Sequence, residues 1–271
     1  MHFRSLFSCL FLAITQAAVA AQPAQADAAI DFLLRRGETS EKTPWKSSET
    51  AIIICDMWDN HTCKGAAARV AALAPKVDAF VSAARARGVF IVHAPSDVMK
   101  FYEGTPQRLR AQAAPAAKPP MPIRTRELMP ERESPLPIDD SDWCDCRPKC
   151  DIQAARANGW PWKRQIATIR ILPEDAVSDQ GQEIYNLFEQ RGIKNVIVCG
   201  VHTNICVLKR SFGIRQMVLL GKNVALARDL TDCLYDPAKR PFTTHDNGTA
   251  LLVQHIEKYW CPSLASTDLV K

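Results

Sequence analysis

Two uninterrupted apolar runs constrain this 271-residue chain more than any other feature. Ala51-Ile52-Ile53-Ile54-Cys55 ends in Asp56, and Val196-Ile197-Val198-Cys199 ends in Gly200. Each run has the length of a strand, is rich in β-branched residues and lacks polar alternation, so both of its faces must be covered. That is the pattern of a strand inside a parallel sheet with helices on either side.

The segments between such runs supply the helices. Residues 66–87 place Val70, Leu73, Val77, Phe80 and Val81 at helical spacing, and Gly88 marks the stop. A second strand is expected over 89–92, closed by His93-Ala94-Pro95-Ser96. Further strands are expected over 165–172, 195–200 and 224–227. Helices are expected over 181–190, from about residue 204 through Leu208 and Phe212 toward Met217, and over 249–259. Strands alternating with helices predict an α/β fold with a doubly wound, mostly parallel sheet and helices on both faces. In such sheets ligands bind beyond the carboxyl ends of the strands, where Asp56, residues 93–96, Gly200-Val201-His202 and Asp229 fall.

Two stretches depart from the alternation. Residues 21–47 read as a charged lead-in with a short helix near 30–35. Residues 97–163 hold Pro119-Pro120 and three cysteines within seven residues, and read as a long Pro/Cys-rich insertion lying over the sheet edge. A loop of that length in a compact domain is usually a functional lid or binding segment. The division expected is an export signal over 1–20, the lead-in, a catalytic domain over 48–262 and a tail over 263–271.

The export reading rests on His2 and Arg4, the apolar run from Leu6 to Ile14 and Ala18-Val19-Ala20 before Ala21. That run is too short to span a bilayer, and no later stretch is long enough, so a periplasmic or secreted chain with no membrane span is expected. Nine cysteines follow Cys9, an odd number that leaves at least one thiol unpaired within the chain in an oxidising compartment. The net charge of +5 comes from scattered basic residues, which argues against a nucleic-acid groove and for a small-molecule substrate. A homo-oligomer is compatible with the sequence.

Cys206 follows a buried strand at the expected first turn of a helix, where backbone amides and the macrodipole favour a thiolate. Asp56, at the end of a neighbouring strand, is positioned to take the thiol proton. Gly200 permits a tight exit from the strand, and the amides after it offer an oxyanion hole. Either residue alone has an ordinary reading, the cysteine as a small core residue and the aspartate as a helix cap.

Together they carry a resemblance. Ile52-Ile53-Ile54-Cys55-Asp56-Met57-Trp58 resembles the first-strand signature of isochorismatase-like cysteine hydrolases, the family that includes nicotinamidase-related amidases. Gly200-Val201-His202-Thr203-Asn204-Ile205-Cys206-Val207 resembles their nucleophile segment, Gly-Val-x-Thr-Asn-x-Cys-Val. The likeness spans roughly residues 48–96 and 165–260. It implies a six-stranded parallel sheet and a site built from Asp, Lys and Cys, with Asp56 and Cys206 as two members. It also implies a cis Val201–His202 peptide bond and backbone amides near Ile205 and Cys206 that hold the oxyanion. No lysine stands at the third position, where the chain reads Arg170-Ile171-Leu172-Pro173, so Arg170, Lys163 and Arg164 are the candidates. Arginine can stabilise negative charge but cannot shuttle a proton.

Trp58, His61, His93 and Asn204 are expected to line the pocket. Asp59-Asn60-His61 has the Asp-x-His spacing of the nicotinamidase metal element but stands elsewhere in the chain, so neither metal nor other cofactor is expected. Cys144-x-Cys146 is poor zinc spacing, and disulfides within the insertion, or to Cys63 or Cys261, are the expectation. The function implied is an exported thiol-dependent hydrolase of a small amide or related C–N bond, acting through a Cys206 thioester. The alternatives are a catalytically silent or redox-active relative that binds a small molecule, and an isochorismatase-type ether hydrolase.

Overall fold

The computed structural model describes residues 28–270; the export signal expected over 1–20, with Cys9, lies outside them. The first elements are a hairpin, β1 (Ala29–Arg36) and β2 (Thr39–Lys46). Then come β3 (Thr50–Cys55), α1 (Lys64–Arg85), β4 (Phe90–Ala94) and three short helices, α2 (Met99–Tyr102), α3 (Pro106–Gln112) and α4 (Ile152–Ala157). The chain continues through β5 (Ala176–Val177), α5 (Gly181–Arg191), β6 (Asn195–Val201), α6 (Ile214–Leu219), β7 (Asn223–Asp232), α7 (His245–Tyr259) and β8 (Ser263–Leu264). All eight strands form one sheet in the order β2-β1-β8-β7-β6-β3-β4-β5.

Neighbouring strands from β8 through β5 pair in parallel, while β1 joins β8 and β2 antiparallel. The sheet therefore has eight strands rather than six, because a hairpin extends a six-stranded parallel core. The short helix expected near 30–35 is strand β1. Its alternation of exposed and buried residues, with Ile30 and Phe32 inward, has a period of two. The expected tail likewise joins the sheet through β8.

The six residues of β3 are all buried, as its apolar run requires. Ile53 and Cys55 pack with Leu187, Phe188 and Met217 on one face, and Ile52 and Ile54 pack with Val77, Phe80 and Val81 of α1 on the other. Each such side chain contributes about 1.5–3 kcal/mol on full burial. Two expectations near the site fail. Residues 165–172 form no strand beyond one bridge between Gln165 and Trp58, and the edge strand is β5. The expected helix through Met217 is broken: a π turn, Thr203–Val207, and a short helical continuation give way to a turn before α6. At Gly213 a Cβ would lie 2.7 Å from the Val207 carbonyl oxygen, so the backbone folds back there too closely for a side chain.

From β3 the sheet grows through β4 to β5 on one side, and from β6 through β7 to β8 on the other. The chain reverses between β3 and β6, which makes their carboxyl ends the crevice of this fold.

Candidate active site

Asp56 leaves β3 in that crevice with φ +45°, a left-handed conformation uncommon outside glycine. Gly200, the register partner of Cys55, has φ +102°, and a Cβ there would stand 2.1 Å from the Cys55 carbonyl oxygen. Glycine is thus required for β6 to pass so close to the end of β3. The next peptide bond, Val201–His202, is cis, in agreement with the expectation.

These backbone choices bring Asp56 and Cys206 together. The carboxylate is fully buried and Cys206 is 6% exposed, and the thiol lies within hydrogen-bonding reach of it. Asp56 Oδ1 accepts a 2.6 Å hydrogen bond from the Ser96 amide, which fixes the carboxylate's orientation. The cation beside it is Arg210, whose Nε lies 3.3 Å from Asp56 Oδ2 and whose Nη2 reaches Asp97 at 3.2 Å. Sequence reasoning missed Arg210. The available signal was its spacing: it follows Cys206 by four residues, one helical turn, and its amide donates to the Cys206 carbonyl.

The three candidates named for this role lie elsewhere. Arg170 binds Asp78 on the surface of α1 at 2.8 Å. Arg164 faces Asp59 and the Phe101 ring, and Lys163 Nζ reaches the Trp160 carbonyl. Each is engaged away from the Asp56–Cys206 pair.

Burial raises the Asp56 carboxyl above its usual range, against the opposing pull of Arg210, Cys206 and Ser96. Burial and the Asp56 charge push the Cys206 thiol well up, while Arg210 and the His202 backbone N–H favour the thiolate. The resting sulfur is therefore protonated. The lowered thiol expected from a helix start is corrected: only a π turn follows the strand, and dehydration outweighs its amides. The oxyanion expectation is also narrowed, because the Ile205 N–H already donates to the His202 carbonyl at 3.0 Å.

Aromatic rings gather around Trp58, two residues beyond Asp56. Trp58 stacks on Trp162 with centroids 4.5 Å apart, Trp162 on Trp160 at 4.7 Å, and His61 on Trp162 at 5.5 Å. His61 meets His202 edge-on at 4.9 Å. Burial lowers His61 to about 4 and holds His202 well below its ordinary value, so both are neutral. Trp162 Nε1 and His202 Nε2 are buried without a hydrogen-bond partner, two polar atoms open to a ligand. Trp160 and Trp162 belong to the inserted segment, as a lid would.

Two expected pocket residues serve other ends. His93 lies at 3.0 Å from Gln165 Oε1 and 3.1 Å from Asp175 Oδ2, holding the edge of the sheet. Asn204 bonds the Leu234 backbone through both amide atoms and clamps the loop after β7. Asp59 accepts the Lys163 amide while His61 Nδ1 accepts the Cys63 amide, so the Asp-x-His element is spent on loop contacts.

A sheet of parallel strands with this crevice is the α/β fold of isochorismatase-like hydrolases. The chain matches the crystal structure of a cysteine hydrolase from Pseudomonas syringae with a TM-score of 0.52 and 15% identity, over 88% of this chain and 95% of that one. An isochorismatase family protein from Burkholderia thailandensis matches at 0.45 and 16%, over 82% and 94%. An isochorismatase from Pseudomonas putida matches at 0.46 and 12%, over 84% and 94%. No protein-family model and no curated protein matches the sequence.

Proposed function

We propose that the chain is a thiol-dependent hydrolase of a small amide or related C–N bond, with Cys206 as nucleophile. The observation that carries the reading is the meeting of a buried carboxylate, a thiol and a guanidinium at the fold's crevice. In the proposed reaction, Asp56 takes the Cys206 proton as the sulfur attacks the carbonyl carbon. The Cys206 amide is assigned to the oxyanion, and Arg210 balances the charge gathered around Asp56. Protonated Asp56 then gives its proton to the departing nitrogen, leaving a thioester on Cys206. Water, deprotonated by Asp56, hydrolyses the thioester and regenerates the thiol.

The raised Asp56 carboxyl suits a group that must both accept and return a proton. The tryptophan stack favours a planar substrate, and Trp162 Nε1 offers its acyl portion a hydrogen bond. Export remains part of the proposal, carried by residues 2–20. No helix among the described residues is long and apolar enough to cross a membrane.

A panel of small amides and ureido compounds, assayed on the wild type, Cys206→Ala and Asp56→Asn, tests the proposal. At least one compound should turn over, with both variants slower by about 10³-fold or more. Equal turnover in all three proteins, or none of the panel turned over by the wild type, overturns it.

A further inference from the structure

Away from Asp56 and Cys206, a second group of sulfurs converges where the inserted segment meets the start of α1. The Sγ atoms of Cys63, Cys144 and Cys146 all lie within 4.8 Å of one another. Cys150 adjoins them, its backbone N–H donating to the Cys144 sulfur at 3.3 Å. Residue 63 and the 144–150 segment are some eighty positions apart in sequence, so this meeting is a product of the fold.

We propose that Cys63, Cys144 and Cys146, joined by the neighbouring Cys150 as fourth ligand when metal binds, form a four-thiolate site for a tetrahedral divalent cation of the zinc type. Three features support it. The Cys63 and Cys146 sulfurs are 3.7 Å apart. Zinc–sulfur bonds of about 2.3 Å imply an edge of about 3.8 Å in a tetrahedron. Backbone N–H groups also aim at the sulfurs: Gly65 donates to Cys146 and Cys150 to Cys144, both at 3.3 Å. The Lys64 amide faces Cys150, and those of Ala66 and Asp145 face Cys63. Amides of this kind orient thiolates around a metal and spread their charge. The first turn of the 22-residue α1 supplies three of them, at the positive end of its dipole. Finally, the absence of a side chain at Gly65 lets Asp145 Oδ1 come within 2.7 Å of where a Cβ would stand, beside the Cys63 sulfur.

Binding exchanges protons for metal: each coordinating thiol releases one proton as its sulfur joins the cation. In the metal-free geometry the Cys63 thiol donates to Asp145 Oδ1 at 3.2 Å, and that proton departs with the others. Arg69, paired with Asp145 and Asp232, and Lys149 lie close enough to offset the site's negative charge. Bound metal would fasten the insertion that carries Trp160 and Trp162 to the helix beginning just after His61. The disulfides expected from sequence give way, in this proposal, to a metal knot; all nine described cysteines are free, and Cys261 lies in the main core apart from this group.

The test uses the full chain, purified without chelator, with metal measured by mass spectrometry and thiols by alkylation and peptide mapping. It should carry about one zinc per chain, and the four thiols should resist alkylation until the metal is removed. Cobalt(II) added to the reduced, stripped chain should give tetrahedral thiolate absorption saturating near one equivalent and bleached by zinc. Cys144→Ser and Cys150→Ser should each lower occupancy at least about 10-fold, whereas Cys261→Ser leaves it unchanged. Because the cobalt spectrum is read on the unmutated chain, misfolding of a variant does not spare the proposal. Cys63–Cys146 or Cys144–Cys150 disulfides in the isolated chain, or a stripped, reduced chain with no thiolate–cobalt absorption, overturn it. The same spectrum is expected in Cys206→Ala, which separates this site from the proposed nucleophile.

Discussion

Arg210 Nε lies 3.3 Å from Asp56 Oδ2, and Arg210 follows Cys206 by one helical turn. The cation and the thiol thus come from one segment and the carboxylate from another, 154 residues away in sequence. Replacing Arg210 with leucine leaves the Asp56 carboxylate buried with only the Ser96 amide and the Cys206 thiol beside it. We expect a loss of about 2–3 kcal/mol in urea unfolding, below the range for fully buried pairs because Arg210 is partly exposed. Turnover should fall in Arg210→Leu and recover in part in Arg210→Lys, which keeps the charge.

Asp56→Asn should separate stability from activity. The carboxyl titrates higher in the fold than in the unfolded chain, so the fold favours its protonated form. That contribution is full below the unfolded value and is lost as pH rises through the folded one. At neutral pH the neutral amide should recover it, giving a melting temperature at or above the wild type's in an inactive protein. A clearly lower melting temperature with an unchanged fold counts against the burial argument.

His61 predicts the opposite slope. Burial lowers it from 6.5 to about 4, so its contribution is present above pH 6.5 and is lost as pH falls toward 4. His61→Phe keeps a ring for Trp162 to stack on and removes the titration. Stability measured by denaturant from pH 7 to 4 should fall less steeply in the variant, by about 2–3 kcal/mol across that window.

Gly200→Ala should be among the most damaging single-methyl additions in the chain. The new carbon would lie 2.1 Å from the Cys55 carbonyl oxygen at a φ of +102°. A cost of about 3 kcal/mol or more is expected, seen as a fall in melting temperature with a shift at the Asp56 turn.

Much of this arrangement is legible in the residues. The apolar runs at 51–55 and 196–199 announce central strands because nothing polar interrupts them, and Asp56 and Gly200 mark their ends. Strand β1 is harder, since Ile30 and Phe32 alternate with exposed Ala29, Asp31 and Leu33 over a stretch short enough to read as a helix turn. Arg210 hid because the third residue was sought after another strand, whereas spacing along the nucleophile's own turn supplies it. The direction of the Cys206 thiol shift differs from the sequence expectation for a physical reason: sequence shows the amides near a thiol but not how completely water is removed from it. The cysteine group was legible only in part: Cys144, Cys146 and Cys150 stand together in sequence, whereas Cys63 meets Cys144 and Cys146 through folding.

The most direct test of the central claim is intact-mass and peptide mapping of the wild-type protein quenched during turnover of a small amide. An acyl group on Cys206, lost on standing as product forms and missing in Cys206→Ala together with activity, is the predicted result. Turnover by Cys206→Ala at the wild-type rate, with no adduct on the wild-type sulfur, would contradict it.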